Sequence, residues 1–425
     1  MLSKADNERM CRVGPGTPMG EAARRYWLPA LLSEELPAPD CDPMGVTVLG
    51  ERLVAFRDTQ GRVGLLQEFC RHRGASLTLG RVEGCGIRCI YHGWKFAADG
   101  TVMETPNVAD PAFKNRFKAE AYPTHEAGGI VWAYLGPPGL RPPAPDWPWL
   151  HLPARHRIAT VHSLACNYVQ VLEGLVDSSH LGILHANSLD AGAASDLRFA
   201  QSTTEMRFDL APTLEVEPAA FGFRYAALRN IEAGRVQARI TAFAPPGFVF
   251  NPNGDVLTIC VPASDERTDF YHIFWDAALA LGEEPLRSEH LKFVGLDPAS
   301  LDTFGLSRRA AHGPARPAPA NRYHQDRARM ARSFSGLPGL IEEDAAVSVA
   351  SGAIRDRSRE TLSKADVAVQ RLYQVLLDCA HRVEAGGAPP GADGSLNAAA
   401  GLHADLAPGA DWRQLVDGGR LAAAS

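Results

Sequence analysis

Short β-type runs separated by turn signals fill the chain between about residues 46 and 103. The runs are residues 46–49, 53–56, 87–96 and 101–103. The turns that follow or separate them contain Gly50, Asp58, Gly61 and the pair Asp99-Gly100. Apolar runs of this length, bounded by Gly and Asp, are typical of β-hairpins. The pattern therefore predicts a small antiparallel β domain near the N-terminus.

Two proline-rich stretches divide the rest of the chain. Prolines crowd residues 136–145, and proline is incompatible with both a helix interior and a central strand. This stretch is predicted to be a linker. It separates an N-terminal domain, residues 1–140, from a C-terminal domain, residues 141–425. A second Pro- and Ala-rich break covers residues 313–320.

The C-terminal domain combines helical and strand-like patterns. A helix is predicted through residues 173–185 and another across residues 344–384, whereas residues 221–226 and 256–261 are typical of strands. The tail after Gly386, rich in Ala, Gly and Pro, is expected to be irregular. With a β domain in front of it, this mixture predicts the α+β fold class.

Length and composition restrict the class of protein. At 425 residues the chain is too long for one ordinary core, which agrees with two domains. Apolar residues make up 45% and charged residues 22%, as in a soluble globular protein. The 43 basic and 49 acidic side chains give a net charge of −6, so nucleic acid and anionic membranes are disfavoured as partners.

The N-terminus and the cysteines indicate the compartment. Residues 1–9 carry charges where a signal peptide needs an apolar core, and no apolar run approaches the roughly 20 residues that a membrane helix requires. Six of the eight cysteines lack the spacing of a disulfide framework: Cys11, Cys41, Cys85, Cys166, Cys260 and Cys379. We expect buried thiols in a reducing compartment and predict a cytoplasmic location.

Two short motifs carry the most specific chemistry. Cys70-Arg71-His72 is followed, after 16 residues, by Cys89-Ile90-Tyr91-His92. Two Cys and two His in paired loops are the ligands of a Rieske [2Fe-2S] cluster, in which one iron takes both thiolates and the other takes both imidazoles. The two neutral imidazoles raise the reduction potential far above that of an all-cysteine ferredoxin.

Two alternatives fit these motifs less well. A structural Cys2His2 zinc site usually pairs Cys with Cys and His with His at short spacing, whereas each segment here holds one of each. A coincidental pair of core residues is disfavoured by the neighbours of the motifs. Residues 73–75 and 93–96 supply turn glycines and an aromatic cover for a cluster.

A second constellation lies in the predicted helix at residues 173–185. Glu173, Asp177 and His180 follow at i, i+4 and i+7, so they share one helix face. His185 is rotated away from His180 by roughly 140° on an ideal helix, but Gly182 allows the helix to end or bulge. The two imidazoles can then converge on one ion.

Two His and one carboxylate form the facial triad of non-haem Fe(II) oxygenases, which leaves positions open for O2. Asp344 is the favoured carboxylate because it enters an otherwise apolar helix, and Glu342 and Glu343 remain rivals. The alternative interpretation, without a metal, is that His180 and His185 are core histidines with satisfied hydrogen bonds. A Rieske centre in the same chain disfavours this alternative because its electrons need an acceptor.

Asp177 is not needed as a ligand. One interpretation of Asp177 is an ordinary charge on the helix surface, without a function. Its place between Glu173 and His180 indicates instead that it accepts a hydrogen bond from the second ring nitrogen of an iron-bound His.

The motifs resemble those of oxygenase components of Rieske non-haem iron aromatic-ring oxygenases, in particular the α-only, phthalate 4,5-dioxygenase-like group. The similarity covers nearly the whole chain. Besides both Cys/His loops and the segment from Glu173 to His185, it includes residues 12–20, 25–27, 344–346 and 356–360. It implies a Rieske β domain followed by a catalytic domain with a helix-grip-like fold, an antiparallel sheet with helices.

The resemblance also implies roles for individual residues. It implies seven metal ligands, Cys70, His72, Cys89 and His92 for the cluster and His180, His185 and Asp344 for Fe(II). Asp177 corresponds to a bridge from a Rieske His of one subunit to an iron-ligand His of its neighbour, and Asn167 to a residue beside the iron. The implied assembly is a homotrimer or stacked trimers. The implied electron source is NADH, through a flavin and ferredoxin-type reductase.

The implied reaction is hydroxylation of an aromatic carboxylate, phthalate-like or a substituted benzoate, by O2 to a cis-dihydrodiol. Such a substrate calls for an arginine fork in the pocket. Arg239 is the favoured candidate and Arg207 the second, although either could be structural. Two alternatives remain: an aromatic O-demethylase of the same group, and a Rieske electron carrier without catalysis of its own.

The chain departs from the group near the third iron ligand. Glu343 stands where the group usually has Gln, and Val349-Ala350 stands where it has Glu-Ser. The sequence therefore does not predict which substrate of this group the protein uses.

Overall fold

A computed structural model describes residues 2–195, 197–231, 234–253, 255–308, 310–407 and 409–417. Its N-terminal part is built from short strands: β1 (Trp27–Leu32), β2 (Met44–Val48), β3 (Glu51–Arg57), β4 (Val63–Gln67), β5 (Arg81–Glu83), β6 (Gly86–Arg88), β7 (Lys95–Phe96), β8 (Val102–Glu104), β9 (Thr124–Ala127) and β10 (Ile130–Tyr134). They pair antiparallel in the orders β2-β3-β4, β5-β6-β7-β8 and β1-β10-β9. The predicted antiparallel β domain is confirmed.

A small apolar core lies directly beneath the predicted cluster loops. Phe56 and Phe96 are fully buried in it, and Trp94 and both Cys70 and Cys89 belong to the same cluster of buried residues. Burying a large aromatic side chain stabilises the folded chain by about 1.5–3 kcal/mol. The loops therefore stand on a firm base although their tips reach the surface.

One large antiparallel sheet dominates the C-terminal part. Its strands are β11 (Arg157–Leu164), β12 (Thr213–Ala219), β13 (Gly222–Asn230), β14 (Val236–Ala244), β15 (Phe248–Phe250), β16 (Val256–Ser264), β17 (Arg267–Trp275) and β18 (Leu402–Leu406). The order is β11-β17-β16-β15-β14-β13-β12, and β18 pairs with β14. The α+β class is confirmed.

Helices cover this sheet and connect its strands. They are α1 (Lys4–Cys11), α2 (Pro18–Ala23), α3 (Tyr168–Val176), α4 (Leu181–Leu184), α5 (Ala186–Ala193), α6 (Arg198–Thr203), α7 (Leu286–Val294), α8 (Pro298–Phe304), α9 (Leu340–Ala350), α10 (Val367–Glu384) and α11 (Arg413–Asp417). Helix α3 packs against α9, α10 and β16. The N-terminal helices α1 and α2 pack against α10, so the first residues of the chain lie on its C-terminal part.

Three sequence predictions about local structure are wrong. Residues 173–185 do not form one helix, because α3 ends at Val176 and a turn precedes α4. The helix predicted across residues 344–384 is interrupted between α9 and α10. The tail is not wholly irregular, since β18 continues the sheet through main-chain pairing with β14.

All eight cysteines are free, and Cys11, Cys166, Cys260 and Cys379 are buried. Cys41 and Cys85 are partly exposed. Within the described ranges, no helix has the length and apolar character needed to cross a membrane.

Candidate metal centres and substrate cavity

Two matching loops carry the predicted cluster ligands. In each loop a Cys carbonyl accepts a hydrogen bond from the N–H of a glycine four residues later, Gly74 to Cys70 at 2.9 Å and Gly93 to Cys89 at 3.0 Å. Both glycines have positive φ angles, +71° and +75°, which glycine adopts without steric penalty. The two Cys/His motifs therefore fold into two similar turns.

The loops bring all four candidate side chains together. The rings of His72 and His92 lie 4.5 Å apart between centroids, while Cys70 and Cys89 are buried at 4% and 2% exposure. Trp94 stacks on His72 with 4.7 Å between ring centroids and 3° between planes. Its Nε1 donates to Asn107 at 2.8 Å, so the aromatic cover is itself fixed.

The donor set fits a Rieske cluster. His72 Nδ1 is buried and has no hydrogen-bond partner in the described part of the chain. Burial raises the pKa of the Cys70 thiol to about 11, so a thiolate here requires a neighbouring positive charge. Two irons held by two thiolates and two imidazoles satisfy both requirements.

A second donor set lies in the C-terminal part, where His180, His185 and Asp344 meet. One potential ligand atom from each residue lies within 4.8 Å of the other two. Asp344 Oδ1 is 3.1 Å from His185 Nε2 and 3.8 Å from His180 Nε2. Glu342 and Glu343, the two rival carboxylates, are not in this group. The set fits a facial triad, and each imidazole offers Nε2 to the shared point.

The electrostatics of this set also call for a cation. Burial alone lowers the pKa of His185, but Asp344 and Glu343 outweigh burial and raise the pKa to about 10. The Asp344 side chain is 40% exposed; desolvation acts to raise the pKa of its carboxyl, but the neighbouring His185 keeps this pKa below the ordinary value. A bound metal ion supplies the positive charge that these groups favour.

The turn between α3 and α4 is organised by Asp177. Its Oδ1 accepts hydrogen bonds from Ser179 N and Ser179 Oγ, both at 2.7 Å, and this local pairing competes with a continued helix. Its Oδ2 lies 3.2 Å from His180 Nδ1. Asp177 thus ends the helix and orients the first imidazole, whose Nε2 remains free for a metal.

The second imidazole has a carboxylate of its own, which sequence reasoning missed. His185 Nδ1 lies 2.7 Å from Glu343 Oε2, and Ser335 Oγ donates to Glu343 Oε1 at 2.5 Å. Sequence reasoning considered Glu343 as a rival ligand and as a departure from the group's usual Gln, but not as the partner of an imidazole. The signal that could have identified it is its place directly before Asp344 in α9, at a position where the group usually has Gln.

One cavity reaches this donor set from the large sheet. Its lining includes His180, His185 and Asp344, apolar walls that include Phe199 and Phe274, and one arginine, Arg239. Arg239 is 2% exposed and donates to Ser202 O and Asn253 Oδ1, both at 2.9 Å. Its guanidinium forms no ion pair with a described carboxylate, and burial lowers its pKa to about 9.

Two other predicted site residues lie elsewhere. Arg207 does not line this cavity; it is partly exposed, 3.3 Å from Asp190, and its guanidinium lies over the ring of Phe208. Asn167 caps the N-terminus of α3 by accepting from Val169 N, and its Nδ2 donates to Cys11 O at 2.8 Å. Both of its polar atoms are therefore engaged in structural hydrogen bonds.

Sequence reasoning also overlooked Arg229 and His272. Arg229 is 1% exposed and donates to Ser178 O at 2.6 Å, so it supports the turn that contains Asp177. His272 lines the cavity, and its Nε2 has no partner among the described residues. Strand alternation could have identified Arg229, because Tyr225, a lining residue of β13, lies four residues away on the same face.

Comparison with family models divides the chain in two. Residues 26–123 match the model described as Rieske [2Fe-2S] domain. Residues 133–418 match the model described as LigXa C-terminal domain like. The first match contains both Cys/His loops, and the second contains the complete second donor set.

Two characterised relatives align along almost the whole chain. The phthalate 4,5-dioxygenase oxygenase subunit of Pseudomonas putida is 37% identical over an alignment 410 residues long, which covers 91% of this chain and 88% of the relative. The 3-chlorobenzoate-3,4-dioxygenase oxygenase subunit of Comamonas testosteroni is 34% identical, with 92% of each chain covered.

Solved structures show the same fold at lower identity. Dicamba monooxygenase superposes with a TM-score of 0.55 at 18% identity, covering 85% of this chain and 99% of that one. NdmA of Pseudomonas putida CBB5 gives a TM-score of 0.57 at 15% identity, covering 93% and 100%. At these identities the comparison concerns the fold alone.

Proposed function

Since this chain belongs to the oxygenase subunits of Rieske non-haem iron aromatic-ring oxygenases, we propose that it hydroxylates an aromatic carboxylate to a cis-dihydrodiol. The cofactors of this family are a Rieske [2Fe-2S] cluster and a mononuclear iron. The proposed substrate is phthalate-like or a substituted benzoate. Both full-length relatives carry the name of an aromatic acid, and the site supports the same class here.

The observation that carries the proposal is the buried Arg239 in the cavity wall. A buried guanidinium without a carboxylate partner is costly unless an anion pairs with it. Its contacts with Ser202 and Asn253 fix its plane and leave further N–H groups for a ligand. A substrate carboxylate can accept two parallel hydrogen bonds from such a fork. Arg207 lies outside the cavity lining and is the weaker candidate.

The proposed metal ligands are Cys70, His72, Cys89 and His92 for the cluster and His180, His185 and Asp344 for the mononuclear iron. When bound, these centres supply electrons and O2 activation. The residues of this chain hold and orient the metal ligands and the substrate. Asp177 and Glu343 fix the two imidazoles, Arg239 anchors the carboxylate, and apolar walls such as Phe274 exclude water from the ring.

Electrons must reach the mononuclear site from a reductase through a Rieske cluster. No cluster ligand lines the cavity at the second donor set, which supports delivery from the cluster of a neighbouring subunit. We propose a homotrimer, or stacked trimers, in which Asp177 joins a Rieske His of one subunit to His180 of the next. The electron source is NADH through a flavin and ferredoxin-type reductase.

The experiment is a product screen. Purified protein with a surrogate reductase, NADH and O2 is offered aromatic mono- and dicarboxylates together with matched neutral arenes, and products are identified by mass spectrometry. We expect a product two oxygens and two hydrogens heavier than one of the acids. Turnover of the neutral arenes in preference to every acid would contradict the proposal.

O-demethylation is the second candidate. The 5,5'-dehydrodivanillate O-demethylase oxygenase subunit of a Sphingobium strain is 40% identical over 191 residues, and such an enzyme uses the same metals. Methoxylated benzoates therefore belong in the screen, and formaldehyde release would identify this activity. A non-catalytic electron carrier is the weakest candidate, because it needs neither the second donor set nor the cavity.

A further inference from the structure

His185 lies between two consecutive carboxylates. Its Nε2 is 3.1 Å from Asp344 Oδ1, and its Nδ1 is 2.7 Å from Glu343 Oε2. Neighbouring residues of a helix point in directions about 100° apart, which lets Glu343 and Asp344 reach opposite nitrogens of one ring. If Nε2 binds metal, the ring proton is on Nδ1 and Glu343 is its acceptor.

The contact between His185 Nδ1 and Glu343 Oε2 is buried, and it holds the Glu343 side chain in place. The side chains of His185 and Glu343 are 2% and 3% exposed. The other oxygen of Glu343 accepts from Ser335, whose Oγ in turn accepts from Leu337 N at 3.1 Å. Both carboxylate oxygens are therefore occupied, and the residue has one orientation.

The partner of His180 differs in kind. Asp177 lies 3.2 Å from His180 Nδ1, but it also accepts from Ser179, and its side chain is 22% exposed. Water and shared donors weaken the field of such a carboxylate. The contact to Glu343 is shorter and less exposed to water. Glu343 therefore contributes more than Asp177 to the electrostatic potential at the metal position.

No Lys or Arg lies within ion-pair distance of Asp344, Glu343 or Asp177 among the described residues. Among the residues that the structure describes, these three carboxylates form ion-pair contacts only with His180 and His185. A ferrous ion bound by two neutral imidazoles and the Asp344 carboxylate carries a net charge of one positive unit. The carboxylates of Asp177 and Glu343 make the net charge of the whole site negative. A negative surrounding stabilises the ferric state relative to the ferrous state.

We propose that Glu343 is a positioning residue of the mononuclear iron site. It fixes His185 and supplies a buried negative charge that strengthens iron binding and lowers the Fe(III)/Fe(II) reduction potential. This role depends on the proposed ligand set. It goes beyond the proposed reaction, since it holds for any substrate that this iron site oxidises.

The test separates the hydrogen bond from the charge. Glu343→Gln keeps an acceptor oxygen for His185 but removes the charge, whereas Glu343→Ala removes both. The matched control is Glu342→Gln, because Glu342 is the adjacent buried carboxyl at 4% exposure and contacts neither imidazole. Ferrous-iron affinity is measured by chelator competition, and the potential by a redox titration of the ferric EPR signal.

We expect Glu343→Ala to bind iron about 10- to 100-fold more weakly. Glu343→Gln should retain iron and raise the potential by about 59 mV, a tenfold change in the ferric-to-ferrous ratio. Glu342→Gln should change neither value. The Rieske EPR signal and the melting temperature serve as fold controls.

A wild-type potential in Glu343→Gln would overturn the proposal, and so would an equal shift in Glu342→Gln. If Glu343→Ala does not fold, the comparison of the two Gln variants still decides. The ligand set is tested separately, since a His185→Ala variant that kept its mononuclear iron would refute it without involving Glu343. Neither measurement requires a substrate, so failure of the proposed reaction is distinguishable from failure of this role.

Discussion

The two candidate metal centres are assembled in opposite ways. The Rieske ligands all fall between Cys70 and His92, and local backbone hydrogen bonds shape both of their loops. The second donor set joins His185 to Asp344, which follows 159 positions later in the chain, and tertiary packing of α9 brings them together. The first site is therefore encoded by short motifs, whereas the second depends on the whole C-terminal fold.

The largest expected effect comes from breaking the second site alone. His180→Ala should reduce the iron content from about three per chain to about two and abolish turnover. The visible and EPR signals of the cluster should remain, because none of its four proposed ligands belongs to the second donor set. Metal analysis and EPR of the purified variant provide the check. Loss of the Rieske signal with mononuclear iron retained would show that the ligand assignment is wrong.

The next effect concerns communication between the centres. Asp177→Asn should leave both sites occupied but slow reoxidation of the reduced cluster by about 100-fold, while reduction by the reductase stays fast. Stopped-flow absorbance in single turnover measures both rates. Near-normal reoxidation with full iron content would leave Asp177 only its observed roles, which are to end α3 and to orient His180.

A smaller effect is expected in the cavity. Arg239→Lys keeps the charge but cannot form the two-pronged contact with a carboxylate. Apparent affinity for the best acid should fall by about tenfold, equivalent to about 1.4 kcal/mol, with cluster and iron unchanged. Arg207→Lys is the matched control and should have no effect, because Arg207 lies outside the cavity lining. Equal losses in both variants would contradict the assignment of Arg239.

The smallest effect compares the two Rieske loops with each other. An added Cβ at Gly74 meets nothing within 4 Å, whereas at Gly93 it lies 2.8 Å from Pro106 Cγ. Gly74→Ala should cost only the left-handed strain of about 1–2 kcal/mol. Gly93→Ala should cost more than this. Urea unfolding followed through the cluster absorbance gives both free energies, and a smaller loss at Gly93 would argue against the loop geometry.

The contrast between the centres explains what the sequence could predict. The Rieske loops were predictable because their ligands, turn glycines and cover residues are close in the chain. Strand patterning predicted two segments of the large sheet, which correspond to β13 and β16, and the family resemblance implied the antiparallel sheet itself, but neither predicted the end of α3. The Asp177 side chain accepts hydrogen bonds from Ser179 and so forms a turn. The periodicity of apolar positions does not predict a hydrogen bond of this kind.

Long-range contacts account for the remaining differences. Asp344 was favoured over Glu342 and Glu343 by its setting in the helix and by family resemblance, and only the packing of α9 shows which carboxylate faces which imidazole nitrogen. Arg207 and Arg239 were both plausible in sequence. Their environments differ because Arg239 lies on a central strand, whereas Arg207 lies in the segment between α6 and β12.

Strand β18 has a consequence for protein engineering. It pairs with β14 so that His403 lies opposite Arg239, and His403 Nδ1 is 3.0 Å from the carbonyl oxygen of Pro252. The tail thereby braces the loop whose Asn253 orients Arg239. A mutant library aimed at new substrates can vary residues 402–406 and tune the cavity from behind, while every proposed iron ligand stays untouched.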